Sequence, residues 1–122
     1  MFNINNSYAN TYTSPSTYVG YVVVTGANVP SWGELFGVIG ENITGSTRYL
    51  QVFDGYAVPT NGTVPLVSLK IAANSQVSFM LPSNLPLNFS KGLVIVSSTT
   101  GNALTKAGLD FFLSVFYNYV KR

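Results

Sequence analysis

Short runs of alternating apolar and polar residues dominate the chain, and residues that favour turns separate these runs. In the segment TRYLQVFD, residues 47–54, Leu50 and Val52 share one face of an extended chain, and Tyr49, Gln51 and Phe53 share the other. Segments 66–71 and 76–81 alternate in the same way. A period of two predicts strands that bury one face, because successive side chains of a strand point to opposite sides.

Further runs are rich in β-branched and aromatic residues, and they cover 18–25, 32–43, 93–96 and 111–120. Segment 93–96 is apolar on both faces, which predicts a strand that is covered on both sides. In total we expect seven to eight short strands with turns between them, a pattern typical of sandwiches and barrels. The predicted fold class is all-β, an antiparallel β-sandwich of jelly-roll type.

A helix competes with a strand only in segment 103–116. There a helix would bury Leu104, Leu109, Phe112 and Phe116. We favour a turn through Gly101–Asn102 and Gly108 followed by a strand, since these are turn residues. We further predict that nine residues are largely buried between the two sheets: Leu50, Val52, Val67, Leu69, Ile71, Val77, Phe79, Val94 and Val96.

The N-terminal residues differ in composition from the rest of the chain. Residues 1–17 are rich in Asn, Ser, Thr and Tyr and have no apolar period, which predicts an extended arm. Residues 18–122 are assigned to the sandwich domain. The arm carries Phe2, Tyr8 and Tyr12, and we expect these aromatic residues to anchor it on a neighbouring subunit.

The low charge of the chain favours an assembly over an isolated monomer. Only 8% of the 122 residues are charged, and the net charge is +2. The polar surface must therefore consist mainly of the twelve Asn, thirteen Ser and eleven Thr. Such a surface repels its neighbours weakly, whereas soluble monomers usually keep their net charge away from zero. A monomer with a surface of hydroxyl and amide groups is the alternative.

Several kinds of chemistry are excluded or disfavoured by the residues that are missing. The chain has no Cys and no His, so disulfides, zinc fingers and His-dependent nucleophiles cannot be built. Glu34 and Glu41 lie on one extended run at an odd spacing, which predicts opposite faces and no acid pair. A calcium ion at Asp54 is a remote alternative. We therefore predict no catalytic residue, no metal or cofactor site and no enzymatic activity.

No pattern indicates a nucleic-acid or membrane partner. The six cationic residues are scattered, without the basic patch that phosphate binding needs. The longest apolar runs are far shorter than a membrane-spanning helix, and the N-terminus lacks the features of a signal peptide.

The surplus of aromatic residues points to an interface. Tyrosine supplies a large contact area and keeps a polar tip, so it is favoured where protein surfaces meet. We predict six interface residues: Phe2, Tyr8, Tyr12, Trp32, Tyr117 and Tyr119. A tyrosine-lined rim of the sandwich would explain the same residues equally well.

Two stretches in the middle of the chain combine strand and turn residues in a characteristic order. Residues 48–71 have the sequence RYLQVFDGYAVPTNGTVPLVSLKI, and residues 88–100 have the sequence NFSKGLVIVSSTT. The order is a strand, a Pro-containing loop, an Asn-Gly turn, a strand that starts at Pro-Leu, and a buried strand. This order resembles that of a family of small structural proteins of tailed bacteriophages. The resemblance covers about residues 33–105 and concerns strand and turn residues, not catalytic ones.

That resemblance implies a β-sandwich virion component of the head-decoration, fibre or baseplate type. Its implied partners are copies of itself, with a trimer favoured by analogy, and other virion proteins such as a major capsid protein. Its location would be the virion, after synthesis in the host cytoplasm. The alternative is a carbohydrate- or receptor-binding module, in which Trp32 and the tyrosines would stack on sugars in an open groove.

Overall fold

The computed structural model describes residues 10–13, 19–26, 28, 30–82, 84–108 and 110–121. All regular elements within these ranges are strands. In chain order they are β1 (Asn10–Thr13), β2 (Tyr21–Val23), β3 (Ser31–Asn42), β4 (Arg48–Asp54), β5 (Val67–Ile71), β6 (Gln76–Met80), β7 (Leu87–Phe89), β8 (Leu93–Ser98) and β9 (Phe111–Lys121).

The strands form two antiparallel sheets with the connectivity of a jelly roll. Sheet A has the order β1-β9-β3-β6, with β7 also paired to β3, and sheet B has the order β2-β8-β4-β5. Strands β6 and β7 lie on the same edge of β3, with Met80 opposite Gly37 and Leu87 opposite Leu35. Counted as one interrupted strand, they complete two four-stranded sheets. The predicted all-β jelly-roll sandwich is confirmed.

A β-bulge in β3 keeps the core residues of β3 and β9, the longest strand pair, on the same side of the sheet. Leu35 pairs with Tyr117 and Gly37 pairs with Phe116, so Phe36 is the extra residue on β3. On the other edge of β3, the Phe36 carbonyl accepts a hydrogen bond from the Leu81 N–H at 2.8 Å. The loop that contains Pro82 and Pro86 leaves the sheet here, as expected where proline cannot donate to a ladder.

The main core lies between the two sheets. Its buried residues include Leu35 and Val38 from β3, Leu50 and Val52 from β4, and Val115 from β9. Of the predicted core residues, Ile71 is also buried here, and Val67, Leu69 and Val77 pack against the cluster while partly exposed. Phe79 is only half-buried and belongs to neither core cluster, because β6 lies at the edge of sheet A.

The expected position of Val94 and Val96 was wrong in one respect. Both are buried, but they belong to a second cluster with Phe53 and Leu104 on the outer side of sheet B. Val58 packs against this cluster from the loop that follows β4. Strand β8 is therefore covered on both faces, as its continuous apolar run predicts, but one cover is a loop layer and not a sheet.

Strand β9 begins at Phe111, so the strand favoured over a helix in segment 103–116 is present from that residue on. The predicted N-terminal arm needs a partial correction, because Asn10–Thr13 pair with Tyr117–Ser114 of β9 as an edge strand. The sandwich thus includes four residues of the range assigned to the arm, since β9 offers an open edge there. The other predictions for the arm concern residues 1–9 and 14–17, which lie outside the described residues.

We expect core and loop leucines to differ sharply in their contribution to stability. Leu35→Ala removes a fully buried side chain between the sheets and should lower the free energy of unfolding by about 2–5 kcal/mol. Leu85→Ala, at an exposed position in the loop between β6 and β7, should change it by less than about 0.5 kcal/mol. Urea denaturation measures both, and equal losses would contradict the placement of the core.

Candidate assembly surface and loop clefts

The side of sheet A that faces away from sheet B carries a set of large apolar side chains. On β3 and β9 these residues alternate with the core residues Leu35, Val38, Leu113 and Val115. The set, here called the outer apolar face, comprises Trp32, Phe36, Ile39, Met80, Phe112 and Phe116. All six are half-buried or exposed, and none belongs to either core cluster. The sandwich core therefore does not account for them.

The bulge brings apolar side chains from three strands close together at the centre of the outer apolar face. Phe36 and Gly37 both lie opposite Phe116 across the β3–β9 pair, and Met80 lies opposite Gly37 on the other side. A Cβ atom on Gly37 would collide with the Met80 sulfur. The absence of a side chain at Gly37 thus lets Met80 lie across β3 toward the phenylalanines.

Two polar side chains interrupt the outer apolar face. Glu34 and Asn118 are cross-strand partners, and each has one buried oxygen, Oε1 and Oδ1 respectively, without a hydrogen-bond partner. Asn118 is only 4% exposed. A buried acceptor without a donor costs roughly 1–3 kcal/mol. A buried polar pair, Glu34 and Asn118, therefore lies among the large apolar side chains of this face.

The bulge also corrects the expected orientation of the two glutamates. An odd spacing of seven residues predicted opposite faces, but the extra residue at Phe36 shifts the alternation by one. Glu34 and Glu41 consequently lie on the same side of sheet A, half-buried and exposed respectively. Glu41 pairs with Gln76 and Phe112, and Glu34 pairs with Asn88 and Asn118, so the two acids occupy separate cross-strand rows.

Asp54 connects the end of β4 to the turn between β7 and β8. Partial burial would raise the pKa of its carboxyl group, but hydrogen bonds from the N–H groups of Ser90, Lys91 and Gly92 and from the Ser90 hydroxyl outweigh burial and lower the pKa. An Asp in a turn commonly hydrogen-bonds to the backbone of that turn. The Asp54 carboxylate is instead surrounded by donors from a segment 36 to 38 residues away.

Asp110 has a similar role at the start of β9. Its Oδ2 atom accepts hydrogen bonds from Arg48 Nε and the Ser97 hydroxyl, both at 3.0 Å, and from the Gly108 N–H at 3.2 Å. These three partners come from β4, β8 and the loop before β9. The ion pair with Arg48 is largely buried, so we assign Asp110 to holding the sheets and this loop together.

Two clefts lie beside the loop after β4. The upper cleft has a volume of about 490 Å³ and is lined by Val19, Tyr21, Val58, Val96 and Lys106, together with small residues. The lower cleft, of about 580 Å³, has Asp54, Tyr56, Ser90 and Lys91 among its lining residues. Val58 borders both clefts, so they adjoin. Both volumes are within the usual range for small-molecule sites.

The structure separates the six predicted interface residues. Phe2 and Tyr8 lie outside the described residues, and Tyr12 is in β1 opposite Val115. Trp32 is half-buried on the outer apolar face. Tyr117 is 8% exposed and belongs to the main core, where its hydroxyl lies 3.4 Å from the Val24 carbonyl, and its ring stacks on that of Tyr119.

Within its own chain Tyr117 therefore belongs to the interior, and its place in an interface stays a prediction. Burial raises the pKa of its hydroxyl, with a smaller contribution from Tyr119. The residues that sequence reasoning missed are Phe36, Ile39, Phe112 and Phe116. Alternation within β3 and β9 was the available signal, but the bulge and the apolar character of both faces concealed it.

No protein-family model, curated protein or solved structure matches the chain. Among the described residues, no helix is long and apolar enough to cross a membrane. Within the same part of the chain, no group of three or more acidic side chains is close enough to hold a metal ion. Function therefore has to be argued from the outer apolar face and the two clefts.

Stability should fall in acid because of Asp54. The pKa of Asp54 is lower in the folded than in the unfolded chain. Its contribution to the free energy of unfolding is therefore complete above its pKa in the unfolded chain, near 4. That contribution disappears as the pH falls through its pKa in the folded chain. Asp54→Asn should cost about 1 kcal/mol at pH 7 and should reduce the dependence of stability on pH below about 5.

Urea denaturation at several pH values measures this effect. Glu41→Gln, which removes one carboxylate from an exposed position on β3, is the matched control and should keep the acid-dependent loss. An unchanged pH profile in Asp54→Asn would show that its hydrogen bonds to the 90–92 turn do not stabilise the fold.

Proposed function

We propose that this chain is a non-enzymatic structural subunit that forms a homo-oligomer through the outer apolar face of sheet A. The observation that carries the proposal is the row of Trp32, Phe36, Ile39, Phe112 and Phe116, which alternates with the core yet belongs to neither core cluster. Contiguous apolar surface outside the core is typical of interaction sites, because its burial removes apolar area from water.

A second copy of the same chain fits this face for electrostatic reasons. The net charge of +2 on 122 residues gives little repulsion between identical copies. The polar groups of the chain are mostly hydroxyls and amides, which can hydrogen-bond to one another across an interface without adding net charge.

The biological context we propose is a virion, with the chain as a small capsid component of the decoration type. Two observations support it: jelly rolls are common in viral capsid proteins, and the middle of the chain resembles structural proteins of tailed bacteriophages. Its partners would be further copies of itself, with a trimer favoured, and a major capsid protein.

A substitution at the edge of the outer apolar face should weaken assembly without unfolding the chain. Met80→Lys places a charge at a position that is 54% exposed on sheet A, so its effect on the monomer should be below about 0.5 kcal/mol. We expect sedimentation velocity at micromolar concentration to show oligomers for the original chain and a shift toward monomer for this variant.

Leu66→Lys is the matched control, because Leu66 is 48% exposed and precedes β5 of sheet B. It makes the same kind of change at a similar exposure on the other sheet, and it should sediment like the original chain. A monomeric original chain would refute assembly altogether. Dissociation by Leu66→Lys but not by Met80→Lys would move the interface to sheet B.

A further inference from the structure

The upper cleft is formed where two segments meet end to end along the edge of β8 that lies opposite β4. On this edge Tyr21 lies opposite Val96, and Ser97 donates to the Gly20 carbonyl. The next residues along the edge are supplied by another segment, because Ala107 donates to the Ser97 carbonyl and Lys106 bridges to Ser98. Both segments then leave sheet B and meet at the start of β9. There Val19 bridges to Phe111, and the Val19 carbonyl accepts a hydrogen bond from the Asp110 N–H.

The floor and walls of this cleft are apolar. Val96 is buried beneath it, Val58 borders it from the loop after β4, and Val19 and Ala107 complete the lining. The Tyr21 ring, 53% exposed, stands at its border. Glycines at positions 20 and 108 keep the opening free of side chains. These features suit a flat or ring-shaped group, because aromatic and aliphatic walls bind such groups by burial.

One charged side chain determines the polarity of the cleft. Among the described residues, Lys106 is the only charged one that lines the cleft, and its ammonium group has no ion-pair partner there. Its backbone is fixed by the bridge to Ser98 and by a hydrogen bond from its N–H to Asn61 Oδ1 at 2.9 Å. Tyr21 and Lys106 lie two residues apart along β8, or roughly 7 Å. That spacing suits a ring with an attached anionic group.

We propose that the upper cleft binds a ring-bearing carboxylate, with the ring against Tyr21 and Val96 and the carboxylate on the Lys106 ammonium group. This site lies on sheet B, away from the proposed assembly face, and goes beyond the structural role. Two sources share this chemistry, an acidic sugar residue of a glycan and a free aromatic acid. The lower cleft borders the upper one at Val58 and leaves room for a longer ligand.

The test is a titration of the isotope-labelled full chain, followed by amide chemical shifts. The probes are sodium glucuronate and sodium benzoate, with glucose and benzyl alcohol as their uncharged counterparts. We expect at least one acid to bind saturably, with a Kd of about 1 mM, and to shift the amides of Gly20, Ala107 and Gly108. The uncharged counterpart should bind about tenfold more weakly. Preference for glucuronate identifies a glycan site, and preference for benzoate identifies an aromatic-acid site.

Lys106→Gln should weaken the bound acid about tenfold, whereas Lys70→Gln, at an exposed position on β5 outside both clefts, should leave binding unchanged. Tyr21→Ser should weaken both the acid and its uncharged counterpart, because it removes the ring contact. No saturable shift with either acid, equal binding of the uncharged probes, or equal effects of the two lysine variants would overturn the proposal. The sedimentation of Met80→Lys is independent of these results.

Discussion

The pairing of β3 with β9 is the constraint on which the rest of the structure depends. These are the longest strands, and they stay paired from Ser31–Lys121 to Asn42–Phe111. Every other strand of sheet A attaches to one of them: β1 to β9, and β6 and β7 to β3. The bulge at Phe36 keeps both Leu35 and Val38 on the core side, although their spacing along the chain is odd. Without the extra residue, the alternation of β3 would be shifted by one, and core side chains beyond the bulge would face outward.

Buried polar groups fix the loops onto this pair of strands. Asn42, at the end of β3, donates to the carbonyls of Ser46, Ile71 and Ala72 and accepts from Thr44. Asp110 holds Arg48, Ser97 and the loop before β9. These hydrogen bonds join segments that are distant in sequence, and they set where the loops leave the sheets. The borders of the clefts follow from them, because Lys106 and Gly108 belong to the loop that Asp110 holds.

Sequence reasoning predicted most of the architecture and little of the surface. The alternation around Leu50 and Val52 and the continuous apolar run of β8 gave the correct strands, because burial on one or both faces leaves a local signature. The bulge leaves only a weaker signal, the glycine that follows it, Gly37, and it places Glu34 and Glu41 on one side against expectation. Tyr117 shows a second limit of sequence reasoning. A tyrosine is a residue type typical of interfaces, but only the tertiary fold shows that this ring is buried in the main core. The clefts could not be predicted, since Tyr21 and Lys106 meet only through β8.

High-resolution imaging of the assembled protein by electron cryo-microscopy tests the central claim most directly. The account predicts that the outer apolar face of sheet A lies in the contact between subunits, with Phe36 and Phe116 covered by the neighbouring copy. An assembly in which this face is open to solvent, with subunits joined through sheet B or through the loops, would contradict it.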